Sequence, residues 1–503
     1  MYGNVRNLFI GLCLFLCGTA LFGRDSVPAF YPAGVFPASG SVSELKVLHD
    51  GLGNVYALYV EDGRFRALKA DGRGSLEPYQ VEGLDPDIYD ARQLELSVFG
   101  TGQYAAFIGS LNGSEGVFVL GLDFAGTLRY YPVPEMRGLG KVSGYFIAAS
   151  SSKGAAVFVL SGGKLNCIAG IGGSGGLPVY VPVTGGGERI EGAGSLDVMA
   201  DFHYPLGRGW FTLEREGKRE AVIFSLDGDF LVHRKSIGSY TGEIGPRNGM
   251  NIEGDSIVTF IREKHVEVYE SDGAEFLRKQ SFDAPEMALR YDAVLESFGL
   301  LTAGTAGAEA LYGVKDAGIN APLFEMWFKP AGGNETALFY EGADSFCLAG
   351  KRADGWYVTR LDSRGTVTGG ERLEGIGAGE KLFAYGARDG FRLYFFDPDR
   401  LVITVCEKRD TRWHALDPVE LPAEIPAAGA DWNGVAANHP LFLEDRLIPV
   451  NAKGGTLLFE TGTGRISLLE NSALHASRNI NGIIYCAALN NGEIALSRIE
   501  EAE

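Results

Sequence analysis

The chain has 503 residues, of which 46% are hydrophobic and 22% are charged, a balance typical of folded rather than disordered proteins. Its net charge is −19 and no basic run exceeds three residues. Both features speak against a nucleic-acid partner, because phosphate binding needs clustered lysine and arginine. The 71 glycines, 30 phenylalanines and 21 tyrosines favour many tight turns between half-buried strands.

The N-terminus has the pattern of a secretory signal. Leu8–Phe22 is apolar and follows a short segment with one arginine and no acidic residue. About 15 apolar residues are too few for a membrane span and suit a signal peptide. Small residues at Gly18 and Ala20 predict cleavage after Ala20, with Gly23 as the alternative. We therefore predict a signal peptide over residues 1–20, a periplasmic or cell-envelope location, and no transmembrane span in the mature chain.

Cys17 raises a second possibility for the same segment. Leu14 to Cys17 resembles a bacterial lipoprotein box in its leucine at −3, but departs from it at Leu16, where a small residue is usual. One hypothesis is thus an envelope-assembly lipoprotein anchored through Cys17. The other is that Cys17 is an ordinary apolar residue of the signal.

Residues 21–42 are predicted to be an extended leader, because they contain prolines and show no hydrophobic periodicity. Repetition begins after them. Ser43–His49 is the first predicted strand, and residues 43–503 are assigned to one repeat domain.

Nine hairpins of similar design follow. The clearest is Ala221–Ile237, in which Asp227 and Gly228 supply the positive-φ pair of a type I′ turn between two apolar strands. The others are Val55–Ala70, Val117–Val133, Val157–Ile168, Val266–Phe282, Tyr357–Leu373, Leu393–Glu407, Leu457–Leu469 and Ile483–Ile499.

One long interval in this series contains no recognised hairpin. A hidden copy is placed at Phe324–Tyr340, and Pro285–Phe298 is predicted to be a short helix from its spacing of apolar residues.

The repeats predict an all-β fold, a β-propeller of about seven or eight four-stranded antiparallel blades. A closed ring protects strand edges that a single small sheet would expose. The ring is expected to close between N- and C-terminal strands, with Ser43–Asp50 joining the sheet that contains Ile494–Ile499. Stacked β-sandwiches are the alternative.

The hairpin pattern resembles that of bacterial exported β-propeller repeat proteins over most of the chain. The signature residues of WD40, kelch and sialidase-box propellers are absent from the sequence. The resemblance therefore implies an architecture and no particular activity.

Three patterns have both a chemical and a structural interpretation. Gly170–Gly176 matches glycine motifs for dinucleotides and for a nucleophilic serine, yet both need a following helix, and a strand-like segment with two prolines follows. Asp85, Asp87 and Asp90 lack the spacing of a calcium loop. The seven histidines show no metal-ligand spacing: His49, His203, His233, His265, His414, His439 and His475. We predict no cofactor and no metal.

The segment Trp413–His439 is long, rich in proline and alanine, and outside the hairpin pattern. Trp413, Trp432, Asn433 and His439 are candidate contacts for a ligand or partner, because exposed tryptophan beside polar groups is common at recognition surfaces. The alternative is an aromatic cover over a blade core.

Four cysteines follow the signal, each in an apolar, strand-like context without a CxxC motif. They are expected to be buried thiols or to form cross-strand disulfides: Cys167, Cys347, Cys406 and Cys486.

These patterns favour a non-catalytic, exported β-propeller that binds a protein or an envelope polymer through its loops. The alternative is a propeller hydrolase or lyase that acts on a glycan or peptide in the central channel. No catalytic residue stands out among 64 acidic residues, and the oligomeric state is left open.

Overall fold

A computed structural model describes the backbone between residues 29 and 500, apart from short breaks and the segment 421–446. Side chains are described within residues 33–172, 259–319, 336–420 and 475–498, again with short breaks. This part of the chain folds into β-strands without an α-helix, and every strand-to-strand ladder is antiparallel. No helix in it is long and apolar enough to cross a membrane.

The first strand, β1 (Ala29–Pro37), is followed by three sheets, here called blades 1 to 3. Blade 1 comprises β2 (Val42–His49), β3 (Val55–Glu61), β4 (Arg64–Ala70) and β5 (Leu76–Pro78). Blade 2 comprises β6 (Tyr89–Phe99), β7 (Gly102–Leu111), β8 (Ser114–Leu122) and β9 (Leu128–Tyr131). Blade 3 comprises β10 (Val142–Ser150), β11 (Gly154–Ser161), β12 (Lys164–Ile171) and β13 (Val179–Pro182).

A small hairpin, β14 (Thr184–Gly185) and β15 (Glu188–Arg189), precedes blades 4 to 6. Blade 4 comprises β16 (Ala193–His203), β17 (Arg208–Arg215), β18 (Lys218–Leu226) and β19 (Val232–Tyr240). Blade 5 comprises β20 (Arg247–Met250), β21 (Ser256–Arg262), β22 (His265–Asp272) and β23 (Glu275–Asp283). Blade 6 comprises β24 (Met287–Leu295), β25 (Phe298–Thr305), β26 (Ala308–Lys315) and β27 (Gly318–Met326).

Blades 7 to 10 complete the chain. Blade 7 comprises β28 (Thr336–Gly342), β29 (Ser345–Arg352), β30 (Gly355–Asp362) and β31 (Val367–Arg372). Blade 8 comprises β32 (Lys381–Gly386), β33 (Arg392–Asp397), β34 (Val402–Arg409), β35 (Arg412–Ala415) and β36 (Val419–Glu420). Blade 9 comprises β37 (Leu447–Ala452), β38 (Gly455–Glu460) and β39 (Arg465–Glu470). Blade 10 comprises β40 (Leu474–Arg478), β41 (Ile484–Asn490) and β42 (Glu493–Glu500), with β1 at its outer edge.

This succession of small antiparallel sheets is a β-propeller, as the sequence predicts. The first strands of consecutive blades contact one another, in the order β40, β2, β6, β10 and β16. The final blade is completed by a strand from the opposite end of the chain, because β1 pairs with β42 along its length. The predicted joining of N- and C-terminal strands is therefore confirmed.

The strand that makes this joint differs from the expected one. All of Ser43–Asp50 except its last residue lies in β2, which opens blade 1 and pairs with β3, whereas Ala29–Pro37 of the predicted leader pairs in blade 10. The prolines explain why the leader looked unstructured. Proline removes a ladder donor and is tolerated at a sheet edge, and Pro32 lies at a bulge in the edge strand.

Ten sheets of three to five strands are present in the described residues, more than the seven or eight expected. Each of the nine hairpins seen in the sequence lies in a different sheet. The tenth sheet is blade 6, in the interval without a recognised hairpin. Its β24 occupies most of Pro285–Phe298, so the predicted helix is wrong, and Phe324–Tyr340 links blade 6 to blade 7 rather than forming a hairpin. At the start of β24, Met287 is exposed and the next residue, Ala288, is buried. This change fits a strand, in which successive side chains point to opposite faces of the sheet.

The core lies between neighbouring blades. Side chains from facing sheets pack together between blades 10 and 1, 1 and 2, 2 and 3, 5 and 6, 6 and 7, and 7 and 8. A middle strand is thus covered on both faces, which is why β3 and β11 are buried along their whole length and contain a single polar side chain each, at the last position, Glu61 and Ser161.

Glycine turns fix the hairpin ends. Asp62 and Gly63 have φ values of 48° and 71°, and Gly162 and Gly163 have 55° and 74°, the signs that a type I′ turn requires. The turn at Asp227 of the clearest sequence repeat lies outside the described residues, although its strands β18 and β19 pair as predicted.

The four cysteines of the described residues are buried free thiols, in agreement with the first of the two alternatives. Burial raises the pKa of each thiol, to about 12 for Cys347, Cys406 and Cys486 and further for Cys167.

Candidate functional site

A cleft of about 660 Å³ lies where blade 7 passes into blade 8. It is bounded by the connection between β31 and β32 and by the turn between β33 and β34. Its charged lining consists of four carboxylates and two guanidinium groups, from Glu374, Glu380, Asp397, Asp399, Arg372 and Arg400.

The connection is held in place by two apolar side chains. Leu373 and Ile376 are buried in the core between blades 7 and 8. The Leu373 N–H donates to the Trp356 carbonyl at 2.8 Å. Gly375 adopts a φ of 85°, which lets the chain turn between the two anchors. The connection between β31 and β32, which forms one wall of the cleft, is therefore fixed by packing in the core between blades 7 and 8.

Glu380 is the unusual side chain of this cleft. It is only 5% exposed, and its Oε1 accepts the Gly377 N–H at 2.9 Å. Its carbonyl accepts the indole N–H of the fully buried Trp356 at 3.0 Å, which fixes the backbone. The second carboxylate oxygen, Oε2, is buried and has no hydrogen-bond partner in the described part of the chain.

The environment of Glu380 raises the pKa of its carboxyl. Burial is the largest cause; the Gly377 hydrogen bond opposes it, the nearby Asp397 carboxylate adds to it, and Arg400 opposes it. A carboxyl with a perturbed pKa in a cleft is the kind of group that binding and catalytic sites contain.

Asp397 shapes the opposite wall. Its Oδ1 accepts the N–H groups of Asp399 and Arg400 at 3.0 and 3.1 Å. Its Oδ2 lies 4.0 Å from Arg400 Nε. Asp397 is thus a turn residue that also places a carboxylate beside the cleft.

Of the four predicted contact residues, the structure describes Trp413 alone. Trp413 lies in β35, 8% exposed, with its ring 5.9 Å from that of Phe339 in the core between blades 7 and 8. Its burial fits the alternative of an aromatic core cover. Trp432, Asn433 and His439 lie outside the described residues, as does Cys17, so recognition by this segment and lipidation stay predictions.

The other sequence motifs have structural surroundings. Gly170 and Gly172 have positive φ, and the strand β13 follows the glycine run, as expected from its sequence. Asp85 accepts the Asp87 N–H at 2.9 Å within its own turn. Among the described residues, no three histidine, cysteine, aspartate or glutamate side chains are grouped as metal ligands.

Two histidines join blade 10 to blade 1. His475 Nδ1 accepts the Val47 N–H at 3.0 Å, and His49 Nε2 donates to the Ser477 carbonyl at 2.9 Å. Nδ1 of the fully buried His49 has no partner in the described residues. Burial lowers the pKa of His49, against the opposing effects of the Ser477 hydrogen bond and Asp50.

Sequence reasoning missed Glu380 because nothing local distinguishes it from the other acidic residues. The available signal was its position, after the glycine-rich run Gly375 to Gly379 and directly before a strand. Such a run marks a loop that folds closely over neighbouring groups.

Comparisons with known proteins give no family. No family model matches the chain, and no curated protein matches it. Among solved structures, it is similar to the Dos1 propeller at 12% identity, covering 71% of this chain and 94% of that one, with a TM-score of 0.36. A crystal structure of a putative 6-phosphogluconolactonase from Bacteroides fragilis is 10% identical over 75% of this chain and 96% of that one, with a TM-score of 0.28.

A prolyl endopeptidase structure is 11% identical over 69% of this chain and 55% of that one, with a TM-score of 0.34. At these identities and TM-scores no activity is transferred to this chain, and the assignment of a β-propeller rests on its own strand topology.

Proposed function

We propose that this protein is an exported β-propeller scaffold that recognises a basic segment of another protein without covalent chemistry. The single observation that carries the proposal is the buried carboxylate of Glu380, half of whose hydrogen-bonding capacity is unused at the cleft between blades 7 and 8.

A lysine or arginine side chain of the partner suits this cleft. The positive charge of an ammonium or guanidinium group in the cleft offsets the cost of the buried Glu380 carboxylate. The carboxylates of Glu374, Asp397 and Asp399 around the cleft add to the attraction. The net charge of −19 favours the approach of a basic partner at low salt.

The test is calorimetric titration of a ten-residue oligolysine into the protein at low salt. The wild-type protein should bind oligolysine. It should not bind the same peptide after acetylation, which removes the positive charges of the lysines. Glu380→Gln should weaken binding at least tenfold, since the partner loses a charged acceptor. The control Glu77→Gln, at an exposed position in blade 1, should change it less than twofold. Equal losses in the two variants, or no binding by the wild type, would contradict the proposal.

A second candidate function is glycan hydrolysis at the same cleft. A glycosidase needs one carboxyl with a raised pKa as general acid and a second carboxylate nearby, and Glu380 beside Asp397 supplies such a pair. Release of reducing ends from peptidoglycan, abolished by both Glu380→Gln and Asp397→Asn, would favour the enzyme. Binding of the basic peptide without such release favours the scaffold.

Attachment to the envelope through Cys17 is a separate part of this proposal. Mass spectrometry of the mature N-terminus distinguishes the alternatives, because a lipidated chain begins at Cys17 and a chain cleaved after Ala20 begins at Leu21. A free Leu21 terminus would exclude the lipoprotein.

A further inference from the structure

A second group of reactive side chains lies on blade 5, away from the cleft. His265 Nδ1 is 2.8 Å from Asp283 Oδ1, and His265 Nε2 is 3.2 Å from Ser281 Oγ. The three side chains thus form a continuous chain of hydrogen bonds from acid to base to hydroxyl. Neither the sequence spacing nor any of the candidate motifs pointed to it.

The strand ladder produces this arrangement. His265 begins β22 and pairs with Asp283 at the end of β23, while Ser281 pairs with Glu267, two residues further along. Side chains two residues apart on a strand share a face, so the side chains of these two cross-strand pairs all lie on one face of the sheet. The Ala284 N–H donates to the Lys264 carbonyl. The pairs His265–Asp283 and Glu267–Ser281 are therefore of the non-hydrogen-bonded kind, in which facing side chains are closest.

The hydrogen bonds assign the protons. The Asp283 carboxylate accepts the proton on Nδ1, which leaves Nε2 of neutral His265 with a lone pair directed at the Ser281 hydroxyl. These are the roles of the three members of a Ser-His-Asp triad, recognised by geometry rather than by sequence order. The 3.2 Å contact is within reach for proton transfer.

Two neighbouring groups suit the charges of such a reaction. Glu267 Oε1 lies 3.9 Å from His265 Nε2 and stabilises an imidazolium once it forms. β23 is an edge strand of blade 5. In a non-hydrogen-bonded pair, the backbone groups point away from the partner strand, so the Ser281 N–H is directed to the open edge, where it can donate to an oxyanion.

We propose that Ser281 is a nucleophile, activated by His265 and Asp283, that accepts the acyl group of small activated esters. Its Oγ forms a bond to the acyl carbon as its proton passes to His265 Nε2. The carbon–oxygen bond to the leaving group then breaks, and the leaving oxygen takes that proton. Water attacks the acyl-serine with His265 again as base, which releases the acid and restores Ser281. Ser281 and Asp283 are exposed, so a small ester can reach the Ser281 hydroxyl directly from solvent.

The test is labelling of the full chain with a fluorophosphonate probe and mapping of the adduct by mass spectrometry. The Ser281 oxygen forms a bond to phosphorus, fluoride leaves, and the proton passes to His265. We expect the adduct on Ser281, at a rate reduced at least tenfold in His265→Ala and in Asp283→Asn. The second variant keeps the size of the side chain but removes the carboxylate that holds the tautomer.

Ser114→Ala removes an exposed serine from β8 and is the matched control, expected to leave labelling unchanged. Because the three residues lie at or near the surface, circular dichroism should show that each variant is folded. Folded wild type without an adduct on Ser281, or an unchanged labelling rate in His265→Ala, would overturn the proposal. The outcome does not depend on the function of the cleft, since no variant of this test alters a residue there.

Discussion

Replacing Glu380 by glutamine is expected to stabilise the protein at pH 8. The pKa of Glu380 is raised in the folded state, so folding favours the protonated carboxyl. At pH 8 the carboxyl is ionised in the unfolded chain, and the folded state bears the cost of a buried carboxylate with one unpartnered oxygen. Burying a charged carboxylate costs more than burying a neutral amide of the same shape, so the amide should recover about 1–2 kcal/mol.

The expected change in melting temperature follows from the size of the domain. The entropy of unfolding is about 2 cal/mol/K per residue, so a domain of this length that unfolds as a unit should gain about 1–2 °C. Below pH 4.5, the ordinary glutamate pKa, both states are protonated and the variant should match the wild type. The gain should therefore appear as the pH rises through the folded-state pKa.

Differential scanning calorimetry at pH 4 and pH 8 measures both values. Glu77→Gln is the control, because its exposed carboxylate is solvated in both states, and its melting temperature should follow the wild type at each pH. A lower melting temperature for Glu380→Gln at pH 8, or a gain of the same size at pH 4, would refute the reasoning. Combined with weaker peptide binding, a gain at pH 8 would mean that a destabilising residue is kept for function.

Three further predictions concern buried groups. Trp413→Ala should lower the free energy of unfolding by about 3–5 kcal/mol, measured by thermal unfolding. Trp413→Phe should lower it much less, because phenylalanine keeps an aromatic ring in the core and removes the unpartnered indole donor. Equal losses in the two variants would contradict this. Burial lowers the pKa of His49, so the stability of the wild type should fall as the pH decreases below 6.5, where the unfolded chain takes up the proton. In calorimetry, the melting temperature of His49→Gln should decrease less steeply with falling pH, and parallel melting curves of the two proteins would contradict this role. The buried thiols, whose pKa is raised, should not react with Ellman's reagent at pH 8 until guanidinium unfolds the chain: Cys167, Cys347, Cys406 and Cys486. Peptide mapping of the labelled sites in the folded protein measures this, and labelling of any of the four before unfolding would contradict it.

Hairpins were the most predictable part of the fold, because their signals are local. A positive-φ pair such as Asp62 and Gly63, between apolar alternating segments, specifies its turn without help from distant residues. One turn design even recurs as Asp-x-x-Gly-Thr, with Asp123 and Asp362 each accepting N–H groups from the residues two and four positions later.

The errors arose where the local signal was ambiguous. Short apolar runs such as Pro285–Phe298 fit both a helix and a strand, and pairing with β25 decides for the strand. The prolines of Ala29–Pro37 hid an edge strand whose partner lies more than 450 residues away in the sequence, in β42. The first of these segments belongs to the one sheet that no predicted hairpin marked, blade 6, and the second completes blade 10.

By itself the sequence determined the all-β class, one hairpin in nine of the ten blades and an acidic net charge, since turn chemistry, strand alternation and charge are properties of neighbouring residues or of composition. Only the tertiary structure decided which side chains meet. Glu380 becomes a buried, half-satisfied carboxylate because the core anchors its loop against blade 8. His265, Ser281 and Asp283 become a hydrogen-bonded chain because the register of two strands places them on one face. Burial and register depend on long-range packing, which no local pattern specifies.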